Sequence, residues 1–334
     1  MVTCTALSSL LSVYNSVDCI GIELAAASRF TQNLPQQGIH RFFSIPNAQF
    51  TIGGAKQNTG AKFTAAVIPS ASADGYMGID GESNILQIQR ASLWIQRGSV
   101  TIETGLSDDL WSISHQYAWE WRSISQGAAE TWGWIDRTDT GISARWHHRL
   151  VSVSFRLSSG EGMRKRERNN GQNASVLIEI LPTKGNRFIS ASLFGQEGSL
   201  GFNQAQNHRL GGRLIGAYLG VHGGLEGLQA WGTNGDASAT PFLLSTWIKY
   251  DGTLPYIGYI RHDRQQWGYA LGQTTFIGAA YKTTDHAKIW IGAELRNRDP
   301  EITDYPGASG LESQQSIFIQ FELNQKSTFQ LGGK

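Results

Sequence analysis

From about residue 48 onward, apolar side chains recur at every second position. Val151, Val153, Phe155 and Leu157 alternate with Ser152, Ser154 and Arg156; Ile317, Ile319, Phe321 and Leu323 alternate with Phe318, Gln320 and Glu322. A period of two belongs to a pleated strand with one apolar and one polar face. Phe50 and Ile52 repeat the pattern, as do Phe63, Ala65 and Val67, and Ile289, Ile291, Ala293 and Leu295. In the segment 213–222, Ile215, Ala217, Leu219 and Val221 read as the apolar face, and Gly216, Tyr218, Gly220 and His222 as the small, wet one. About fourteen segments of this kind follow one another, at 48–54, 61–68, 85–96, 100–104, 142–147, 150–157, 174–181, 188–194, 213–222, 242–250, 256–262, 273–281, 287–296 and 316–323. Turn-forming clusters such as Gly160-Glu161-Gly162 and Asp251-Gly252-Thr253 separate them. The alternation changes phase between Ile88 and Ala91, which implies either a β-bulge or a misplaced strand. With no βα alternation, fixed-length repeat or Pro/Ser linker, the chain reads as one all-β domain over 41–334, a meander of hairpins.

So long an antiparallel meander must stack into two sheets or close on itself, because an open sheet leaves exposed edges. Composition favours closure. Charged residues are 16% of the chain against roughly 25% in a typical soluble protein, so Lys, Glu and Asp are too few to crowd the outer face of a sandwich. Gly, Ser, Thr and Gln occupy many of the polar alternates instead. A closed antiparallel transmembrane β-barrel, with apolar alternates toward lipid and small polar ones around a lumen, fits that distribution. Membrane strands need roughly 9–11 residues, a length several segments reach. Tyr and Trp sit at strand ends (Trp146, Tyr250, Tyr256, Trp267, Tyr269 and Tyr281), where interfacial girdles would place them. The competing arrangement is a soluble sandwich that buries those rings in its core.

Other classes fall away. No uncharged apolar run approaches the roughly 20 residues of a membrane-spanning helix. Abundant Trp, Ile, Leu and Phe with a net charge of +1 argue against disorder. The same near-neutral balance lacks the basic excess that nucleic-acid binding requires. Two cysteines, Cys4 and Cys19, cannot supply a disulfide framework or a Cys-rich metal site, and no metal or cofactor motif is present. Residues 1–40 read as an N-terminal arm; within them 1–27, mostly small and apolar and ending Leu24-Ala25-Ala26-Ala27, has the cast of an export signal, although Asp18 and Glu23 interrupt it.

The stretch 90–111, Arg-Ala-Ser-Leu-Trp-Ile-Gln-Arg-Gly-Ser-Val-Thr-Ile-Glu-Thr-Gly-Leu-Ser-Asp-Asp-Leu-Trp, is a strand, a short turn at Gly98 and a second strand leading into an acidic segment. Residues 141–162 form a further strand pair. Together, over about 70 residues, these stretches resemble the general porins of Gram-negative outer membranes. The resemblance implies a barrel of about 16 strands (range 12–18), usually a homotrimer in contact with membrane lipid and lipopolysaccharide. A long loop, here about 106–140, folds inward. The implied function is passive diffusion of small hydrophilic solutes and ions, without a chemical step or cofactor. The C-terminal end, Phe329-Gln330-Leu331-Gly332-Gly333-Lys334, departs from the aromatic terminus common in such barrels, so the closing strand is expected to stop near Leu323 or to carry an altered assembly signal.

Opposed charges across a narrow lumen would filter solutes by size and charge. Candidate loop acids are Asp108, Asp109, Glu120, Glu130, Asp136 and Asp139. Strand phase turns Lys62, Arg90, Arg145, Arg156, Lys249 and Arg261 inward as a facing basic wall, with Glu103 and Glu179 as lumen acids. Any of these could instead be a solvated rim charge. Trp111, Trp119, Trp121, Trp132 and Trp134 fall in the loop, where rings could guide sugars; alternation of Tyr117, Trp119 and Trp121 favours another strand. Alternative functions are a barrel enzyme, an adhesin or scaffold with a plugged lumen, and a soluble carbohydrate-binding sandwich. An enzyme would need converging nucleophile and base, whereas His147 and His148, adjacent on a strand, point to opposite faces.

Overall fold

The computed structural model describes residues 19–33, 41–56, 58–70, 83–112, 128–131, 134–135, 137–159, 171–180, 187–199, 207–232, 240–250, 256–266, 269–284, 286–298 and 314–330. Among these, the period-two segments form sixteen strands. They are β1 (Cys19–Asn33), β2 (Arg41–Lys56), β3 (Thr59–Ser70), β4 (Ser83–Arg97), β5 (Val100–Asp108), β6 (Thr138–His148), β7 (Val151–Ser158) and β8 (Gln172–Ile180). The second half contains β9 (Arg187–Ser199), β10 (His208–Tyr218), β11 (Val221–Trp231), β12 (Pro241–Tyr250), β13 (Tyr256–Gln266), β14 (Tyr269–Thr284), β15 (Ala287–Arg298) and β16 (Gln314–Gln330). Each strand pairs antiparallel with the next. β1 also pairs with β16, from Cys19↔Gln330 to Asn33↔Ser316, so the hydrogen-bonded sheet closes on itself as a barrel.

The register corrects the reading of both chain ends. Leu24 to Ala27 is the middle of β1, flanked by β2 and β16, rather than the end of an arm or signal. Its alternation was hard to see because alanine occupies both faces. β16 continues past Leu323 to Gln330, and Lys326 reaches Glu23 of β1 at 3.1 Å.

The two faces are inverted relative to a soluble protein. Large apolar side chains point outward and stay exposed: Leu86 and Ile189 at 74%, Leu193 at 66% and Ile291 at 62%. Their polar alternates point inward and are buried, among them Ser154, Arg156, Glu226 and Gln320. In water such a pattern would cost the barrel the hydrophobic gain that normally drives folding.

Register shifts occur at several strand pairs; that in β4, and the phase of β10, bear on the site. In β4, Thr64 pairs with Arg90 but Ala65 with Ile88, so Gln89 is the extra residue of a bulge and both Gln89 and Arg90 turn inward, buried. This is the phase change that the sequence predicted. In β10 the phase is opposite to that expected: Arg209, Arg213 and Ala217 are buried inside, while Leu210, Leu214 and Tyr218 are exposed outside. Ile215 therefore faces inward and packs on the buried cluster of Trp247, Phe276, Ala280, Trp290 and Phe318. Apolar and glycine residues occupy both faces of β10, so alternation alone could not orient it. Leu219 (φ 48°) and Gly220 (φ 84°) form the two-residue turn to β11, both left-handed as such hairpins require.

The connections sort by end. At one end two-residue links join β2 to β3, β4 to β5, β6 to β7, β10 to β11 and β14 to β15. The outward aromatics Trp146, Tyr218, Tyr250 and Tyr281 cluster near this end, with Trp146 stacked on His148 at 5.7 Å. Apart from the two-residue link between β13 and β14, the opposite end has the longer links, the longest being 109–137 between β5 and β6.

Gly105 and Gly141 sit opposite each other at the mouth of that link. A Cβ on Gly105 (φ 111°) would lie 2.4 Å from the Ala91 carbonyl oxygen, and one on Gly141 2.2 Å from that of Leu157. Gly98, in the β4–β5 turn (φ 55°), has nothing within 4 Å. Gly105→Ala should therefore lower stability by about 1–3 kcal/mol, while Gly98→Asn should change it by less than about 1 kcal/mol. Urea unfolding midpoints of the two variants decide this; equal midpoints would contradict the packing argument.

Candidate functional site

β5 ends in Ser107 and Asp108, and the chain then turns into the lumen. The Asp109 amide donates to the Arg137 carbonyl at 2.8 Å, closing the neck of the loop. A helical turn at 110–112 follows, and a short helix α1 (Ala128–Thr131) precedes the return to β6. Trp134 and Ile135 donate backbone N–H bonds to the Ala129 carbonyl, and Ser112 Oγ donates to Glu130 Oε1 at 2.9 Å.

The bulge in β4 supplies the centre of the site. Arg90 forks between Asp108 Oδ2 and Glu103 Oε1, 2.6 Å to each, and its Nε donates to Ser92 Oγ at 3.2 Å. All three charged side chains are less than a tenth exposed. One cation shared by two buried carboxylates gives geometry that a single point charge could not. Gln89 accepts from Arg137 Nη1 at 2.6 Å, and Arg137 Nε lies 3.8 Å from the other Asp108 oxygen. Lys62, on the inward face of β3, stands within electrostatic reach of Arg90, Asp108, Glu103 and Glu23.

Arg156 of β7 holds both legs of the loop. It donates to Ser107 Oγ at 2.6 Å, to the carbonyls of Asp108 and Ser107 at 3.1 and 3.2 Å, and to the Asp139 carbonyl. Asp139 Oδ1 accepts from Ser159 Oγ and the Thr140 amide. Asp109 Oδ1 accepts the Trp111 amide at 2.8 Å. Burial pushes the Asp109 carboxyl up to about 6, against the pull of nearby Arg156.

Farther in, Leu110, Trp111, Ala129, Trp134 and Ile135 of the loop pack on Leu177, Phe194, Leu228, Ala230 and Leu243. These wall residues lie on inward positions of β8, β9, β11 and β12. Fully burying a large apolar side chain contributes roughly 1.5–3 kcal/mol, so this contact holds the loop against the wall.

The structure thus joins Arg90, Glu103, Asp108, Asp109, Asp139 and Arg156 into one network. It corrects the expectation of a basic wall facing loop acids across the lumen: Arg90 and Arg156 stand on the acids' own side and are engaged with the loop's root. Other candidates lie elsewhere in the barrel. Arg145 donates to Ser154 Oγ at 2.9 Å and is within electrostatic reach of Glu179. Lys249 is buried on β12 opposite His222. Arg261 is described in backbone only, with Thr246 of β12 and Thr275 of β14 as its register partners. Glu120, Asp136, Tyr117, Trp119, Trp121 and Trp132 lie outside the described residues.

Sequence reasoning missed Gln89, Arg137 and the Arg213–Glu226 ion pair, 3.0 Å long and almost fully buried. The bulge was the signal available for Gln89; the phase error in β10 hid Arg213. His147 points inward and His148 outward, as their adjacency required. Among the described residues no group of three His, Cys, Asp or Glu could hold a metal ion.

No protein-family model and no curated protein matches the sequence. Solved structures do match in fold. OmpF of Salmonella typhi, solved in complex with daunomycin, superposes with a TM-score of 0.69 at 10% identity, covering 94% of this chain and 100% of that one. The anion-selective porin from Comamonas acidovorans gives 0.64 at 11% identity, with 93% and 100% covered. A trimer form of OmpT, an outer membrane protein of Vibrio cholerae, gives 0.59 at 10%, with 91% and 99% covered. At these identities the likeness is one of fold: nearly the whole chain has the architecture of outer-membrane porin barrels.

Removing Arg90 takes the shared cation from two buried carboxylates. Arg90→Gln should destabilise the barrel by about 3–5 kcal/mol, and adding Asp108→Asn should recover part of it; a near-neutral single variant in urea unfolding would refute the shared-cation account. Asp109 has the opposite sign to an ordinary paired acid. Because its folded value is raised, its contribution is fully present below about pH 4 and is lost as pH rises through 6. Relative to Asp109→Asn, the wild type should lose about 2 kcal/mol between pH 4 and 7, measured as the difference between their stability profiles.

Proposed function

We propose that this chain is a pore of a bacterial outer membrane, through which small hydrophilic solutes and ions diffuse passively. The observation that supports it most directly is the inversion of the sheet: exposed leucine, isoleucine and phenylalanine outside, buried serine, arginine and glutamate inside. A hydrocarbon surround removes the cost of the outer face. It also demands that every backbone group find a partner within the protein, which a closed barrel provides. Fifteen of the strands have nine residues or more, enough to cross, and the outward aromatics near the short-turn end suit headgroup depth.

On this reading the loop at 109–137 narrows the lumen, and the charges about its root and along the wall bias the solutes that pass. The outer belt contacts membrane lipid and, on the long-loop side, lipopolysaccharide. The assembly is a homotrimer, a reading supported by the trimer form among its structural neighbours. The proposal assigns no chemical step and no cofactor. A second reading, a scaffold or adhesin with a filled lumen, draws on the close burial of inward side chains on opposite walls, Ser152 and Gln320 both at 0%.

The pore reading expects detergent extraction, faster gel migration before heating, and unitary currents in planar bilayers; folded barrels that never conduct would select the filled-lumen reading. Neutralising Asp108 and Asp109 together should move the reversal potential toward anion selectivity, and an unmoved potential would take both residues out of the filter. Leu93→Arg, on the outer face, should cost about 2–4 kcal/mol in lipid if it lies near the bilayer midplane; a negligible cost would argue against a hydrocarbon surround.

A further inference from the structure

We infer that the inward face of β10 is the seat that fixes the loop inside the lumen, with Arg213 as its principal positioning residue. Three successive inward positions, Arg209, Gly211 and Arg213, each hold the loop in a different way. The Arg213 guanidinium lies over the Trp111 ring, 4.1 Å from its centroid, and Nη2 also reaches the Trp111 carbonyl at 3.5 Å, the outer limit of a hydrogen bond. Its Nε is bound to Glu226 Oε2 at 3.0 Å. The ion pair makes a buried guanidinium tolerable and orients its plane for the ring, a cation–π contact that strengthens when water is excluded.

Gly211 is the floor of the seat. A Cβ there would stand 3.1 Å from Trp111 Cη2 and 2.7 Å from Leu228 Cδ1. Gly211 has no left-handed φ to explain it, so the glycine serves space rather than backbone conformation. Phe194 closes one side, its ring centroid 5.5 Å from that of Trp111. One inward position earlier, Arg209 donates to the Trp134 carbonyl at 3.0 Å and to the carbonyls of Trp231 and Gly232. Both the outgoing leg of the loop at Trp111 and the returning leg at Trp134 are thus held by one strand, four positions around the wall from β6.

The root network fixes where the loop enters the lumen; β10 fixes how far it leans from the wall. Under the pore reading, on which the functional part rests, this strand sets the free cross-section beside the loop.

The test compares Trp111→Leu, which leaves the Arg213–Glu226 pair intact, and Gly211→Val, which fills the floor, with Trp111→Phe as the conservative control that keeps a ring. Barrels that retain the wild-type heat-dependent gel shift are compared by hydrogen exchange over 110–112 and 128–135, and by single-channel recording. Exchange in these segments should accelerate by about tenfold or more in the first two variants and far less in Trp111→Phe, while the strands away from β10 and β11 stay protected. The same two variants should show noisier open currents and new conductance levels. Wild-type protection of the loop in both variants would overturn the seat. Lost protection with unaltered currents would overturn its control of the cross-section. A wild type that does not conduct would fell the pore reading instead, with the exchange data still deciding the seat.

Discussion

Pairing β1 with β16 is the constraint on which the rest of this structure depends. A sheet with free edges could twist, stack or extend; a closed one has an inside and an outside, and each residue's phase decides which it sees. Closure also fixes the circumference, so the lumen has finite width and anything that enters it must pack against the walls.

Against that fixed wall pack the described parts of the segment between β5 and β6, at 109–112, 128–131, 134–135 and 137, and their attachment uses two kinds of force. At the root, charges act at short range: Arg90 shared between Glu103 and Asp108, and Arg156 bonded to backbone carbonyls on both legs. Such contacts give direction, because a guanidinium satisfies its acceptors only in a narrow set of geometries. Farther in, apolar burial supplies most of the adhesion, through Trp111 and Trp134 against Leu177, Leu228 and Leu243. The inner wall becomes apolar where the loop lies on it. The polar lining of the lumen and the packing of the loop are thus two demands on the same strand faces, met at different residues.

The bulge in β4 links the two. One extra residue sends Gln89 and Arg90 to the same face, and Gln89 then takes Arg137 from the returning leg while Arg90 takes Asp108 from the outgoing one. A regular strand would have placed one of the two outside. The irregularity is therefore what ties the loop's neck to the wall.

Much of this was legible from the sequence. Period-two alternation identified the strands, the low charge and small polar alternates identified the inverted faces, and the broken phase at Ile88–Ala91 marked the place of the bulge. Inward placement of Arg90, Glu103, Arg145, Arg156, Glu179 and Lys249 followed from phase alone, because a strand's side chains alternate whatever surrounds them. The tertiary structure decided what phase cannot carry. Where both faces held similar residues, as in β1 and β10, only pairing with neighbours assigned inside and outside. Whether Arg90 faces Asp108 across the lumen or stands beside it depends on where the loop folds, and that is settled by contacts between residues more than a hundred positions apart, such as Trp111 and Arg213. Alternation is a local property of a pleated backbone; partnership across a closed barrel is a property of the whole ring.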